Sequence, residues 1–170
     1  FAAGADIGAM ASYTFADVAA SSTLQAVGVT GLSASLGGGL SVGGNFAFER
    51  DATANTMRVI ASSATAQVSA GNFNVGVKDA SLGLSVSAAG RVLEARGAVS
   101  AQLGDAASLS ATSVTLRLNE TSQDASDQSI SAAGQTFTYG SGLVAGAQEL
   151  TVLGGNLSLA GFVQASGSLA

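Results

Sequence analysis

Glu120, Asp124 and Asp127 lie in one short polar stretch beside Asn119, and oxygen donors so closely spaced are the raw material of a calcium site. Their order does not follow the EF-hand pattern, and no glycine stands where that loop must turn sharply. The spacing favours a solvated hairpin loop, so no cofactor is expected, calcium being the one alternative these residues leave. Glu49, Arg50 and Asp51 read the same way, as exposed turn charges. Acid–base catalysis needs two carboxylates facing each other across a cleft, and Glu94 and Asp105 have no evident mate. Serine is abundant, but the chain has no His to activate it, and Lys78 alone gives little support for a serine–lysine pair. Cys is also absent, which removes thiolate chemistry, disulfides and ordinary zinc sites. No catalytic residue and no enzymatic activity are expected.

Two further motifs read blandly. Gly37-Gly38-Gly39 and Gly154-Gly155 resemble phosphate loops only in their glycines. A phosphate cradle needs a helix N-terminus behind it, and both glycine runs lead into strand-like residues. Asn119-Glu120-Thr121 and Asn156-Leu157-Ser158 fit the glycosylation pattern, a three-residue match that arises often by chance.

Composition narrows the function classes. Charged residues make up 10% of the 170-residue chain, far below the usual quarter, and 23 glycines with many Ala and Ser take the place of bulky side chains. Such a chain stacks layers closely but has few groups with which to tune a pocket. The net charge of −5, with six Lys and Arg in all, argues against a nucleic-acid partner. No run approaches the roughly 18 apolar residues of a spanning helix, and membrane insertion is not expected. An outer-membrane barrel would also alternate apolar and polar residues, but it uses aromatic girdles that this chain lacks.

The elements that must carry these residues are strands. Leu40, Val42, Gly44, Phe46 and Phe48 alternate with Ser41, Gly43, Asn45, Ala47 and Glu49, the period of a strand with two unlike faces. The same period returns at Met57–Ala61, Phe73–Val77, Leu82–Val86, Val114–Leu118, and Leu157, Leu159, Val163 and Leu169. Phe1–Ala11 also alternates and is read as a strand. Polar turns predict hairpins from Phe46 to Ile60 and from Leu84 to Glu94, and a longer arc returns the chain from Arg117 to Ile130. Parity slips between Leu109/Ala111 and Val114/Leu116/Leu118, which marks a bulge, a corner, or a stretch covered on both faces. No linker interrupts residues 1–170.

The chain also repeats itself. Tyr13-Thr14-Phe15-Ala16-Asp17 returns as Gln135-Thr136-Phe137-Thr138-Tyr139, 122 positions on from Thr14 to Thr136. Val27, Val29, Gly31, Leu36, Leu40 and Gly44 return as Leu150, Val152, Gly154, Leu159, Val163 and Gly167, 123 positions on. About one and a third copies of such a unit, opening on Phe1, are expected from a single segment of a longer tandem array.

Gly44-Asn45-Phe46-Ala47-Phe48-Glu49, Asp79-Ala80-Ser81-Leu82-Gly83-Leu84, Ser110–Asn119 and Gly161–Leu169 resemble repeats of the giant adhesin-like proteins that bacteria secrete or display. The resemblance covers about Tyr13 to Ala170. It implies an extracellular or cell-surface setting and a repetitive β architecture, and it carries over no catalytic residue. The Gly-Gly-x-Gly-x-Asp nonapeptides of calcium β-rolls are missing. The expectation is an all-β chain of antiparallel hairpins and meander, wound into a solenoid-like or tube-like stack. Its partners are neighbouring repeats or identical chains, joined at strand edges, with Leu40, Val42, Phe46, Phe48, Leu157, Leu159, Val163 and Leu169 in the assembly and core strands and Phe46 on the buried face. The alternative is an adhesin module that recognises glycan or host protein through its loops.

Overall fold

The structure is a computed structural model that describes residues 23–36, 39–160 and 163–169. The strand expected at Phe1–Ala11 and the first repeat phrase at Tyr13–Asp17 lie outside these residues. The chain is all β: β1 (Leu24–Leu36), β2 (Leu40–Asp51), β3 (Thr56–Ala70), β4 (Phe73–Ser87), β5 (Gly90–Leu103), β6 (Ala107–Asn119), β7 (Ser129–Ala132), β8 (Gln135–Thr138), β9 (Gln148–Leu159) and β10 (Val163–Leu169). Eight of them form one antiparallel meander in the order β1-β2-β3-β4-β5-β6-β9-β10, while β7 and β8 pair as a separate hairpin. Local turn chemistry explains the short connections. At β2–β3 the Asp51 carboxylate accepts hydrogen bonds from Thr53 N and Ala54 N at 2.9 and 3.0 Å, and Asn55 takes a positive φ of 48°.

A row of irregularities crosses the long strands at mid-height. β1 carries an extra residue against β2 between Val29 and Leu32, and β3 carries one against β2 opposite Gly43–Asn45. β4 carries one against β5 between Lys78 and Ser81, β6 one against β5 opposite Gly97–Val99, and β9 one against β10 opposite Gly167–Leu169. Left-handed residues sit at four of these places: Gly31 (φ 65°), Ser63 (φ 49°), Asp79 (φ 53°) and Gly154 (φ 59°). β2, β5 and β10 cross the row without an extra residue, so their period of two runs unbroken. In the bulged strands the apolar positions change parity and yet stay on one geometric face. The slip between Ala111 and Val114 is therefore a bulge rather than a corner.

The bulge row divides the sheet into an upper half, next to the β2–β3 and β4–β5 turns, and a lower half. On the front face of the upper half, the in-register row Gly28–Ala47–Ile60–Gly83–Glu94–Arg117 starts small and ends charged. Residues 120–147, including the β7–β8 hairpin, fold back onto this row. Phe137, Tyr139, Leu143, Ala125 and Ala132 bury themselves against Ala47, Ile60 and Val92 to make the core. Phe137 lies directly over Gly83, where a Cβ would run into the ring, so glycine is the residue that admits it. Gln135 Nε2 donates to the carbonyls of Phe46 and Val29 at 3.0 and 3.3 Å, which ties the hairpin to the far strands.

Three expectations need correction. Ile130 does not return alongside β6, because β7 pairs with β8 and β6 pairs instead with β9. The alternating run Leu157–Leu169 is not one strand: β9 ends at Leu159, and β10 begins at Val163 and folds back on it as a hairpin. The core also lies on the opposite face from Phe46. Ala47, the next residue, faces the covering hairpin, and Phe46 looks out of the sheet's back.

Candidate assembly site

The expected assembly residues all share the back face. In-register rows there read Val27–Phe48–Val59–Leu84–Leu93–Leu118 and Val29–Phe46–Ala61–Leu82–Ala95–Leu116 in the upper half. Below the bulges the row Leu40–Val68–Val75–Ala101–Leu109–Leu157–Ala165 continues the same surface. Nothing among the described residues covers it: Phe48, Leu159, Val163 and Leu169 are exposed, while Leu40, Val42, Phe46 and Leu157 are half-buried by their neighbours in the sheet.

The front face of the lower half is the chemical opposite. Its rows read Ser35–Ser41–Gln67–Gly76–Ser100–Ser110–Asn156 and Ser69–Asn74–Gln102–Ser108–Ser158. They floor a shallow open trough of about 390 Å³ with Lys78 at its side. A bare Ser/Gln/Asn surface suits water, and no reactive group stands in it.

The covering segment is held by charge as well as by apolar contact. Glu94 is fully buried, its Oε1 lies 2.7 Å from Arg96 Nε, and its Oε2 lies 3.4 Å from Arg117 Nε. The same Oε2 accepts Gly140 N at 2.8 Å, so the strand carboxylate reaches up to the cover. Arg117 continues to Glu149 at 3.1 Å. Hydrogen bonds from Thr151 and then Arg117 hold the Glu149 carboxyl below its ordinary range. Arg96 also donates to Thr138 O at 3.0 Å and sits 5.3 Å from the centre of the Phe137 ring. Tyr139 donates to Val92 O at 3.3 Å, and burial, reinforced by Glu94, pushes its phenol up to about 12. A buried charge paired from several sides fixes geometry more than it adds stability. Sequence reasoning left Glu94 without a mate: Arg96 is two residues on in the same strand, but Arg117 lies in register on the adjacent strand and Gly140 in the cover, both far along the chain.

Two of the three loop carboxylates are engaged locally. Glu120 holds Arg91 through two hydrogen bonds of 2.6 Å, which lower its pKa and raise that of the guanidinium. Asp124 accepts Ser126 N at 2.8 Å, and hydrogen bonding from Ser126 lowers its pKa. Asp127 is exposed in a left-handed conformation (φ 58°). Among the described residues, no three such side chains gather as metal ligands. Asn119 is buried: its amide donates to Gln123 O, Leu143 O and Val144 O at 2.8, 2.9 and 3.1 Å. Its oxygen accepts both Thr121 N and Thr121 Oγ1. That full set of bonds makes it the organiser of the loop and removes it as a glycan acceptor.

The two ends of the meander share a design. β1 pairs with β2 through Leu36↔Leu40 and Val29↔Phe46, and β9 pairs with β10 through Leu159↔Val163 and Val152↔Leu169, each partner 123 positions on. The bulge falls at the same place in both. Gly31 N donates to the Asn45 side chain at 2.8 Å, and Gly154 N donates to the Ser168 side chain at 3.3 Å. Consequently Leu157 and Leu159 match Ala34 and Leu36 of β1, while Val163 and Leu169 match Leu40 and Phe46 of β2.

No helix among the described residues is long and apolar enough to cross a membrane. Compared with protein-family models, with curated proteins and with solved structures, the chain matches none.

Proposed function

We propose that this chain is a structural unit of an extracellular bacterial filament or giant surface protein, extended by adding strands to the edges of its sheet. The observation that carries the reading is the likeness of β9–β10 to β1–β2 in register, bulge position and bulge hydrogen bond. In this reading β9 is the first strand of the next unit, and its seat against β6 is the template for what lies beside β1. Gly154 packs against Thr112 of β6, whose hydroxyl donates to Leu153 O at 3.0 Å, whereas the ideal Cβ position of Gly31 has nothing within 4 Å. A strand of the β6 type therefore fits outside β1, and one of the β3 type outside β10. Stacked units of this kind, twisting from strand to strand, supply the solenoid-like or tube-like winding. The surface setting rests on the composition and on the resemblance to adhesin-like repeats. Loop recognition of a glycan or host protein has less to draw on, because Asn119, Glu120, Thr121 and Asp124 spend their polar atoms inside the loop.

A tandem chain with a second copy of residues 24–147 placed ahead of residue 24 tests this. Strand addition predicts that amides around Thr30–Gly31 exchange more slowly in the tandem than in the single chain, and that the tandem melts higher. Two units that melt as the single chain does, with unchanged exchange in β1, would overturn it.

A further inference from the structure

Among the described residues, the back face is the largest uncovered apolar surface. Of the exposed large hydrophobic residues, all but Leu24, Val144 and Leu153 point to it, with Leu116 44% and Leu109 50% exposed. Eight strands about 4.8 Å apart and some 11 residues long give a face of roughly 1,200 Å². Monomers rarely leave a contiguous apolar patch above about 600 Å². Two such faces together would bury roughly 2,400 Å², within the range of obligate dimers.

The chemistry of the face favours another sheet as its cover. Within its described strand rows the charges are Arg50 and Arg91, the latter paired with Glu120, at the upper rim. Large and small side chains alternate along its rows: Ala61 and Ala95 leave hollows between Phe46, Leu82 and Leu116. Side chains of a facing sheet, packed at about 10 Å, would interdigitate there. Lipid suits the surface less well. A sheet with open edges leaves backbone donors unsatisfied in hydrocarbon, and the described residues form no Trp/Tyr belt, since the chain has no Trp and Tyr139, the one described tyrosine, is in the front core.

We propose that the back face is closed by the same face of a second copy of this chain, forming a two-fold sandwich. The proposal goes beyond extension through strand edges and does not depend on it, because failure of edge addition would leave the sandwich intact.

Sedimentation equilibrium of the full chain at micromolar concentration tests it, with a mass twice 16.4 kDa expected. Leu116→Lys in the upper half and Leu109→Lys in the lower half should each weaken the dimer at least a hundredfold while keeping the strand circular dichroism. Ser100→Lys on the front face should leave the mass unchanged. If Leu116→Lys loses its fold, Leu109→Lys, outside the covered half, carries the comparison. A monomeric wild type overturns the proposal, as does a chain that stays monomeric but floats with phosphatidylglycerol vesicles, which would assign the face to lipid. Open-ended assemblies that survive Leu116→Lys and vanish with Val29→Pro would also overturn it, since the association would then run through the β1 edge.

Discussion

The upper and lower halves of the sheet are made from the same strands and share one apolar back, but their fronts differ completely. Above the bulges the front row begins with small residues and ends with Glu94, Arg117 and Glu149, which gives an apolar hairpin somewhere to sit and a set of charges to hold it. Below the bulges the same strands show Ser, Gln and Asn to water. The lesson is that a cover is specified by hollows and anchors rather than by hydrophobicity. Among the described residues no ring lies over Gly76 of the lower front as Phe137 lies over Gly83.

The sharpest way to break this comparison is to empty each half in turn. Ile60→Ala, at the buried centre of the core, should cost about 3 kcal/mol, and Ser100→Ala, exposed on the front of the lower half, under about 0.5 kcal/mol. Urea unfolding of both variants checks this; equal losses would mean that the halves are not energetically distinct. Next in size is Arg117→Met, expected to cost about 2 kcal/mol because it leaves Arg96 as the one cation beside buried Glu94. The effect should vanish when Glu94 is replaced by Gln in the same chain. A smaller contrast lies within β4. Gly83→Ala should destabilise by about 1–2 kcal/mol by displacing the Phe137 ring. Gly76→Ala meets its neighbours at 3.5 and 3.6 Å, an ordinary contact, and should be neutral or stabilise by about 0.5 kcal/mol.

Titration gives the smallest effects. The lowered carboxyls of Glu120 and Glu149 contribute stability that is present above the usual carboxylate range and lost as pH falls through their lower folded values. Near-ultraviolet signal from Tyr139 should therefore weaken below about pH 4 before the strand signal does. At the other extreme, the Tyr139 contribution is present below pH 10, the ordinary phenol value, and is lost as pH rises towards about 12. Spectrophotometric titration should find one late tyrosine that Tyr139→Phe removes.

Strand positions were legible because alternation at Leu40–Phe48, Met57–Ala61 and Leu82–Val86 is a local signal, and the two short hairpins were marked by their turn residues. The parity slip before Val114 left a bulge, a corner and a doubly covered stretch open, since the choice depends on its register with the unbulged neighbour β5. The covering role of residues 120–147 was hidden for another reason. Gln135–Tyr139 was read for its likeness to Tyr13–Asp17, while the hollow that receives the hairpin is assembled from Gly28, Ala47 and Gly83 on three strands. Glu94 was likewise unreadable without register.

The sequential order of the meander has a mechanical consequence. Tension applied through the outermost strands runs across the sheet, parallel to its hydrogen bonds, and loads them a few at a time. Such a sheet unzips from its margins at modest force, each long strand releasing about 40 Å of slack. The Glu94–Arg117–Glu149 relay spans β5, β6 and β9, so it stands as a rip-stop partway across. Under load the molecule would lengthen in steps and dissipate work, acting as a shock absorber rather than a rigid strut.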